Sequence, residues 1–280
     1  ANAAATLFWY ENEQGSWTPH SIGTIPSALK DMSIEDLNGD NLPEVITATF
    51  NAETLSVFHK GEGDDYQLAW ELKINNLHEG MDVGDLDGDG RADIAANGYW
   101  LPNPGSLESP WEVKAIDSIW FSQEEEHWSR NATKVACVDT DNNGRDEVFI
   151  SHSEKTNYPM AHYQWEGTGW TKTILADSMI AAHSLQVMDF DLDGEYEVAT
   201  GVNRNRAIDI QKELEIGTMV YEFPVYIFKN SSSGWSSEVI NSDGVYNLLA
   251  GDLEGDGDVD LIRLTSHDEK DMWLMINNIK

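Results

Sequence analysis

Asp85-Leu-Asp-Gly-Asp-Gly-Arg-Ala-Asp93 places carboxylates at the first, third, fifth and ninth positions of a nine-residue run, with glycine at the sixth. Its odd positions are Asp85, Asp87, Asp89, Arg91 and Asp93. Four more stretches share the pattern. Their odd positions are Asp36, Asn38, Asp40, Leu42 and Glu44; Asp139, Asp141, Asn143, Arg145 and Glu147; Asp189, Asp191, Asp193, Glu195 and Glu197; and Asp252, Glu254, Asp256, Asp258 and Asp260. Oxygens at positions one, three, five and nine let a short loop curl around a hard cation, and calcium, which takes six to eight oxygens at about 2.3–2.6 Å, suits such a set. The seventh residue, Arg91 in the quoted loop, would offer its backbone carbonyl, so its side chain is free to vary. Asn41, Gly90, Gly144, Gly194 and Gly257 hold the sixth position, where a left-handed backbone is expected.

An EF-hand begins alike but needs a glutamate at its twelfth position. Thr47, Ala96, Ile150, Thr200 and Arg263 stand there, and the residues after each ninth position read as strands. Each loop therefore joins two strands.

The first aspartates lie 49, 54, 50 and 63 residues apart, a period that points to repeat architecture. Trp17, Trp70, Trp111, Trp170 and Trp235 recur in phase, each opening a short strand that ends in isoleucine. An aromatic strand lies between loop and tryptophan, which gives four strands per unit. Before each loop, apolar residues alternate with small or polar ones: Met32 and Ile34, Met81 and Val83, Val135 and Cys137, Leu185 and Val187, Leu248 and Ala250. The interleaved Asp31, Ser33, Asp82, Lys134, Ser184, Gln186 and Asn247 would suit an innermost strand lining a wet channel. Four-stranded antiparallel units of this length, repeated radially, make a β-propeller.

The repeats resemble the FG-GAP/VCBS family of calcium-loop propellers, found in integrin α-subunits and in secreted bacterial proteins. The Phe-Gly and Gly-Ala-Pro signatures are absent, which places the likeness nearer the bacterial VCBS type. The resemblance implies an all-β propeller with calcium in five loops, about five ions with a mainly structural role. Expected units of one propeller domain, 1–280, are 1–23, 28–76, 78–117, 130–176, 182–241 and 244–280. Five blades follow if one terminus pairs into the blade begun by the other, which leaves one strand too many: either Leu7–Tyr10 or Met272–Asn277 is extra, or the chain is part of a propeller of six to eight blades.

The net charge of −33 argues against nucleic acid and anionic membrane surfaces as partners. Eighteen of the fifty Asp and Glu side chains sit at the four ligand positions, and five calcium ions would bring the formal charge to −23. No apolar run is long enough for a membrane helix. A lone Cys137, read as a buried thiol, gives no disulfide framework, and the opening Ala-Asn-Ala-Ala-Ala resembles the remnant of a cleaved leader. A secreted protein that relies on metal would look like this.

Function is expected at the channel mouth, where strand entries converge. The expected role is a binding module for a glycan or another extracellular macromolecule. The alternative is a lyase cleaving a uronate glycan by β-elimination, with His78, His183 and Tyr246 as acid–base candidates and Lys30 and Glu79 nearby. Arg204, Arg206, His152 and Glu154 follow second strands and are candidate ligand contacts, arginine being suited to carboxylate or sulfate. Trp100, Trp120 and Tyr163 are candidate platforms for sugar rings. Motifs for serine hydrolases, phosphate loops and zinc sites are absent.

Overall fold

The computed structural model of the chain describes residues 3–61, 63, 65–124, 127–266 and 271–279; Ala1 and Asn2 of the alanine-rich opening lie outside them. A hairpin of β1 (Ala5–Glu13) and β2 (Ser16–Ile25) is followed by four antiparallel four-stranded sheets. The first holds β3 (Leu29–Glu35), β4 (Glu44–Thr49), β5 (Thr54–Lys60) and β6 (Tyr66–Lys73). The second holds β7 (Met81–Gly84), β8 (Asp93–Ala96), β9 (Tyr99–Leu101) and β10 (Lys114–Ala115). The third holds β11 (Thr133–Val138), β12 (Glu147–His152), β13 (Thr156–Trp165) and β14 (Trp170–Ile180). The fourth holds β15 (Ala182–Met188), β16 (Glu197–Val202), β17 (Val225–Lys229) and β18 (Ser236–Asn241), and a three-stranded sheet of β19 (Asn247–Gly251), β20 (Asp260–Leu264) and β21 (Trp273–Met275) ends the chain. The first strands β3, β7, β11, β15 and β19 lie side by side in that order, which makes a five-blade propeller.

The acidic loop connects the first and second strands of every blade, and its ninth residue is the first residue of β4, β8, β12, β16 and β20. β4, β8, β12 and β16 are buried along their whole length because blades cover both faces. Four core clusters each join two consecutive blades. Ile46, Leu55 and Val57 meet Met81, Ile94 and Trp111; Trp100 and Trp120 meet Val148, Ile150 and Tyr163. Phe149 and Leu175 meet Leu185 and Phe228, and Ala199 and Val225 meet Leu248 and Leu261. Each such fully buried aliphatic or aromatic side chain contributes about 1.5–3 kcal/mol.

Three of the polar positions of the first strands do more than line a channel. Asp31 accepts the Gly80 N–H at 2.8 Å, Asp82 the Cys137 N–H at 2.9 Å, and Gln186 the Ala250 N–H at 3.2 Å. Each clasps the free backbone edge of the next blade, which would otherwise leave donors unpaired. Burial pushes the Asp82 carboxyl up to about 6.

Closure by strand exchange between the termini is not seen. Among the described residues no strand pairing joins the hairpin to β19–β21. Leu7, Ile22 and Ile25 instead pack on Val45 and Phe58 of the first blade, so closely that a Cβ on Gly23 would strike the Phe58 ring. Met32 and Ile34 of β3 stay exposed, unlike Met81, Leu185 and Leu248 at equivalent places. Leu249 and Trp273 of the last sheet are exposed as well.

Besides a single 3-10 turn at Ser118–Trp120, the described residues hold one helix in an otherwise all-β fold, α1 (Arg204–Glu213), inserted between β16 and β17. Asn203 caps it, accepting the Arg206 N–H, and Ala207, Ile210 and Gln211 form its buried side.

Candidate functional site

The five acidic loops share one hydrogen-bond plan. The carboxylate at position one accepts the N–H of position six in every loop, at 2.8 Å in Asp36 and Asp85, 2.9 Å in Asp139, 3.0 Å in Asp189 and 3.1 Å in Asp252. The carboxylate at position nine accepts the N–H of position two, donated by Leu37, Leu86, Thr140, Phe190 and Leu253. Position six has a positive φ throughout, between 66° at Asn41 and 98° at Gly257. Position four is left-handed too, a requirement that sequence reasoning missed: Gly39, Gly88, Asn142 and Gly255 meet it easily, but Leu192 sits there at φ 58°.

Glu44, Asp93, Glu147, Glu197 and Asp260 at position nine are all buried. Burial, helped by the other loop carboxylates, pushes Glu44 and Asp93 up to about 7. The buried Glu147 Oε1 and Asp191 Oδ1 have no hydrogen-bond partner. Ligand oxygens of Asp85, Asp87 and Asp93, of Asp139, Asp141 and Glu147, and of Asp189, Asp191 and Glu197 lie within 4.8 Å of one another in each trio.

Position five does not join these trios. Asp89, expected beside Asp85, Asp87 and Asp93, is turned toward position seven: its Oδ1 accepts the Arg91 N–H at 3.0 Å and its Oδ2 pairs with the Arg91 guanidinium. The arginine supplies the nearest positive charge, so its side chain is engaged in the loop and not merely free to vary, as the sequence suggested. Asp40 and Asp193 make the same backbone bond, to the N–H groups of Leu42 at 2.8 Å and Glu195 at 2.9 Å, without such an arginine. All-oxygen donors, crowded like charges and orphaned carboxylate oxygens fit a hard divalent cation, with positions one, three and nine as the gathered set.

The opposite end of the blades carries a second cluster. In β11 and β12, Thr133 faces His152 at one end of the pairing and Val138 faces Glu147 at the other, so the loops and the mouth lie about 17 Å apart. At the mouth all five blades contribute to one polar hub. Lys30 bonds Glu79 at 3.0 Å, Lys134 approaches the same carboxylate at 3.8 Å, and the Ser153 hydroxyl donates to it. Glu79, Glu154 and His183 gather within 4.8 Å of one another, and the Tyr246 ring stacks on His183 at 4.5 Å. Burial would raise the Glu79 carboxyl, yet Lys134, His183, Lys30 and His78 together hold it well below the usual carboxylate range. The same carboxylate keeps the half-buried Lys134 ammonium raised against desolvation.

Of the sequence-predicted residues, His183 and Tyr246 meet directly and His78 lies to one side against Trp128 and Phe50. Both ring nitrogens of His183 face acceptors, Tyr246 O at 2.8 Å and Glu154 Oε1 at 3.0 Å. His78 Nε2 donates to the Trp128 carbonyl at 2.7 Å, its ring edge meets Phe50, and its Nδ1 is buried without a partner. Burial raises the Tyr246 phenol. His152 is buried, its Nδ1 accepting the Glu154 N–H, and desolvation pushes its imidazole down to about 3. Arg206, also buried, donates to the Glu154 carbonyl at 2.7 Å and to Glu213, while Arg204 is exposed at the start of α1. Trp100, Trp120 and Tyr163 are not surface platforms. All three are buried between the second and third blades, where the Trp120 indole donates to the Tyr163 hydroxyl at 2.8 Å. Lys134 was legible only as a polar residue of a first strand and Ser153 only as a polar residue just past a second strand; no local signal marks them as hub members.

Two insertions rise over the hub, residues 116–124 and 127–132 between β10 and β11 and residues 203–224 carrying α1. They frame a cleft of about 580 Å³ lined by His127, Lys155, Tyr158, Arg206, Ile210 and Leu214. A cleft of about 270 Å³ beside it, lined by Glu53, Asn76, His78, Trp128 and Arg130, shares His127. Trp128 is half-exposed and lies 5.2 Å from the Arg206 guanidinium.

Residues 36–96 match the family model of the FG-GAP-like repeat. No curated protein matches the chain in sequence. Among solved structures the chain is similar to a protein from Lactobacillus plantarum, with TM-score 0.56 at 9% identity over 98% of this chain and 74% of that one. It is also similar to the V. cholerae biofilm matrix protein Bap1, with TM-score 0.47 at 17% identity over 84% of this chain. A third likeness is to rhamnogalacturonan lyase YesW, with TM-score 0.44 at 14% identity over 95% of this chain. The chain spans 34% of Bap1 and 56% of YesW. At these identities the likeness concerns the fold alone.

Proposed function

We propose that this five-blade propeller with an FG-GAP-like repeat is an extracellular binding module, stapled by about five calcium ions, whose glycan ligand rests on the mouth face beside Trp128. The observation that carries this reading is the meeting of two insertions over one face. Insertions in a repeat protein tend to collect on its binding face. Here they surround a half-exposed indole flanked by amide, carboxylate and guanidinium groups, the mixture that suits a sugar's apolar face and its hydroxyls. In the acidic loops, Asp and Glu oxygens at positions one, three and nine would hold calcium and join first strand to second, with position five, Asp89 in the second blade, turning inward to complete the set. Calcium outside the cell is abundant enough to fill even weak sites, and a chain with one cysteine has no disulfides to do the same work.

The meeting of His183 and Tyr246 at the hub keeps β-elimination on uronate glycans as a second reading. Binding is favoured because His183 is bonded at both nitrogens and Tyr246 is raised rather than lowered. Titration of neutral and uronate glycans into the calcium-loaded protein tests both. The expected result is binding that Trp128→Ala weakens about tenfold, a loss of about 1.4 kcal/mol, with unchanged melting and no unsaturated product. Release of ultraviolet-absorbing unsaturated uronate, abolished by His183→Ala, would replace the binding reading with the lyase one. Undiminished binding by Trp128→Ala would move the ligand elsewhere.

A further inference from the structure

Asn103 and Asn277 occupy matching places, just past the third strands β9 and β21, and make matching bonds. The Asn103 N–H donates to Asp93 Oδ1 at 2.7 Å, and its side-chain amide donates to the carbonyls of Leu37 at 2.8 Å and Ala92 at 2.9 Å. The Asn277 N–H donates to Asp260 Oδ1 at 2.8 Å, and its amide donates to the carbonyls of Phe190 at 2.7 Å and Val259 at 3.3 Å. Leu37 and Phe190 are the second residues of the preceding blade's acidic loop. Their own N–H groups donate to Glu44 and Glu197 at position nine.

Each asparagine thus bridges two loops. Asn103 holds Asp93 through its N–H and the Leu37 carbonyl through its side chain, while the peptide on the other side of the Leu37 Cα donates its N–H to Glu44. Asp260, Asn277, Phe190 and Glu197 repeat the arrangement in the fourth and fifth blades. Fixing the peptides on both sides of the Leu37 and Phe190 Cα atoms restrains the backbone there, so each asparagine ties the orientation of one position-nine carboxylate to that of the next. The device occurs where position nine is the shorter aspartate. Where it is glutamate, the third strand reaches position three instead in two blades, as Gln164 does to Asp141 and Lys229 to Asp191.

We propose that Asn103 and Asn277 are positioning residues that couple cation sites in pairs, the first loop with the second and the fourth with the fifth. This rests on the reading of the loops as calcium sites. Partners of this kind behind a ligand are worth 10- to 100-fold in metal affinity when removed.

Calcium titration of the whole, isotope-labelled chain, followed at the backbone amides of Asn41, Gly90, Gly194 and Gly257, reads these loops separately. Asn277→Leu, at a half-buried residue near the end of the described chain, is expected to weaken both the Gly194 and the Gly257 sites about tenfold and to leave Asn41 and Gly90 unchanged. Asn103→Leu is expected to do the converse. Coupling is read from a cycle: Asp189→Ala should weaken calcium at Gly257 several-fold in the native background and leave it unaltered in Asn277→Leu. A purely structural asparagine would lower the melting point without that loss of coupling. Unchanged constants in Asn277→Leu, or a Gly257 site indifferent to Asp189→Ala in the native background, would overturn the proposal. Calcium shifts at none of the four amides would remove the calcium reading itself, and the coupling with it.

Discussion

His152 shows how burial alone sets a residue's chemistry. It is 1% exposed, and desolvation holds its imidazole down at about 3 despite the favourable field of Glu79. Its Nε2 stands 2.9 Å from the Gln123 amide, whose Oε1 has no partner; the opposite amide orientation lets the ring donate to that oxygen. The unfolded chain binds a proton at this histidine below its ordinary value near 6.5, whereas the folded chain does not until about 3. Stability from this site is therefore complete above pH 6.5 and is lost as pH falls toward 3. His152→Gln is expected to flatten the acid limb of the melting profile by about 2–3 kcal/mol between pH 7 and pH 4.5. An unaltered slope in calorimetry across that range would show that His152 charges freely in the native state. The sequence marks His152 as a polar residue after a strand; that it is buried depends on Gln123, from the segment between β10 and β11, laid against it.

At the scale of the element, the inner strand carries most of what was readable in advance. Alternation in β3, β7, β11, β15 and β19 predicts their apolar faces, and the acidic loop predicts where each ends. The use of the polar positions was not readable, because a strand edge's partner is a neighbouring blade and leaves no trace in local pattern. Asp82→Ala tests the clasp. Removing the acceptor orphans the Cys137 N–H and is expected to cost about 1–3 kcal/mol, with faster amide exchange confined to the joint of β7 and β11. Exchange at Cys137 equal to that of the native chain would refute the clasp. Helix α1 is hidden for another reason. Asn203 followed by Ala207, Ile210 and Gln211 on one side is a legible helix start, but nothing in a period of four strands calls for a helix there.

At the scale of the whole molecule, the architecture is a row of blades joined by apolar interfaces at mid-height, a polar hub at the mouth and acidic loops at the far end. The repeat period and the tryptophans were enough to find the blades. They were not enough to find the hub, since Lys30, Glu79, Lys134, Glu154, His183 and Tyr246 come from five different repeats and meet only because the first strands converge. The split also explains the charge. A chain at −33 carries eighteen of its carboxylates at the ligand positions of five crowded loops, and a bound cation would offset the cost of burying those at position nine as anions. If the loops hold calcium as proposed, its loss loosens every blade at once. The most direct measurement is thermal unfolding in excess calcium and in excess chelator at the same ionic strength. Metal-stapled blades predict a melting temperature lower by more than about 10 °C in chelator, restored by added calcium; the same melting temperature in both would contradict the account.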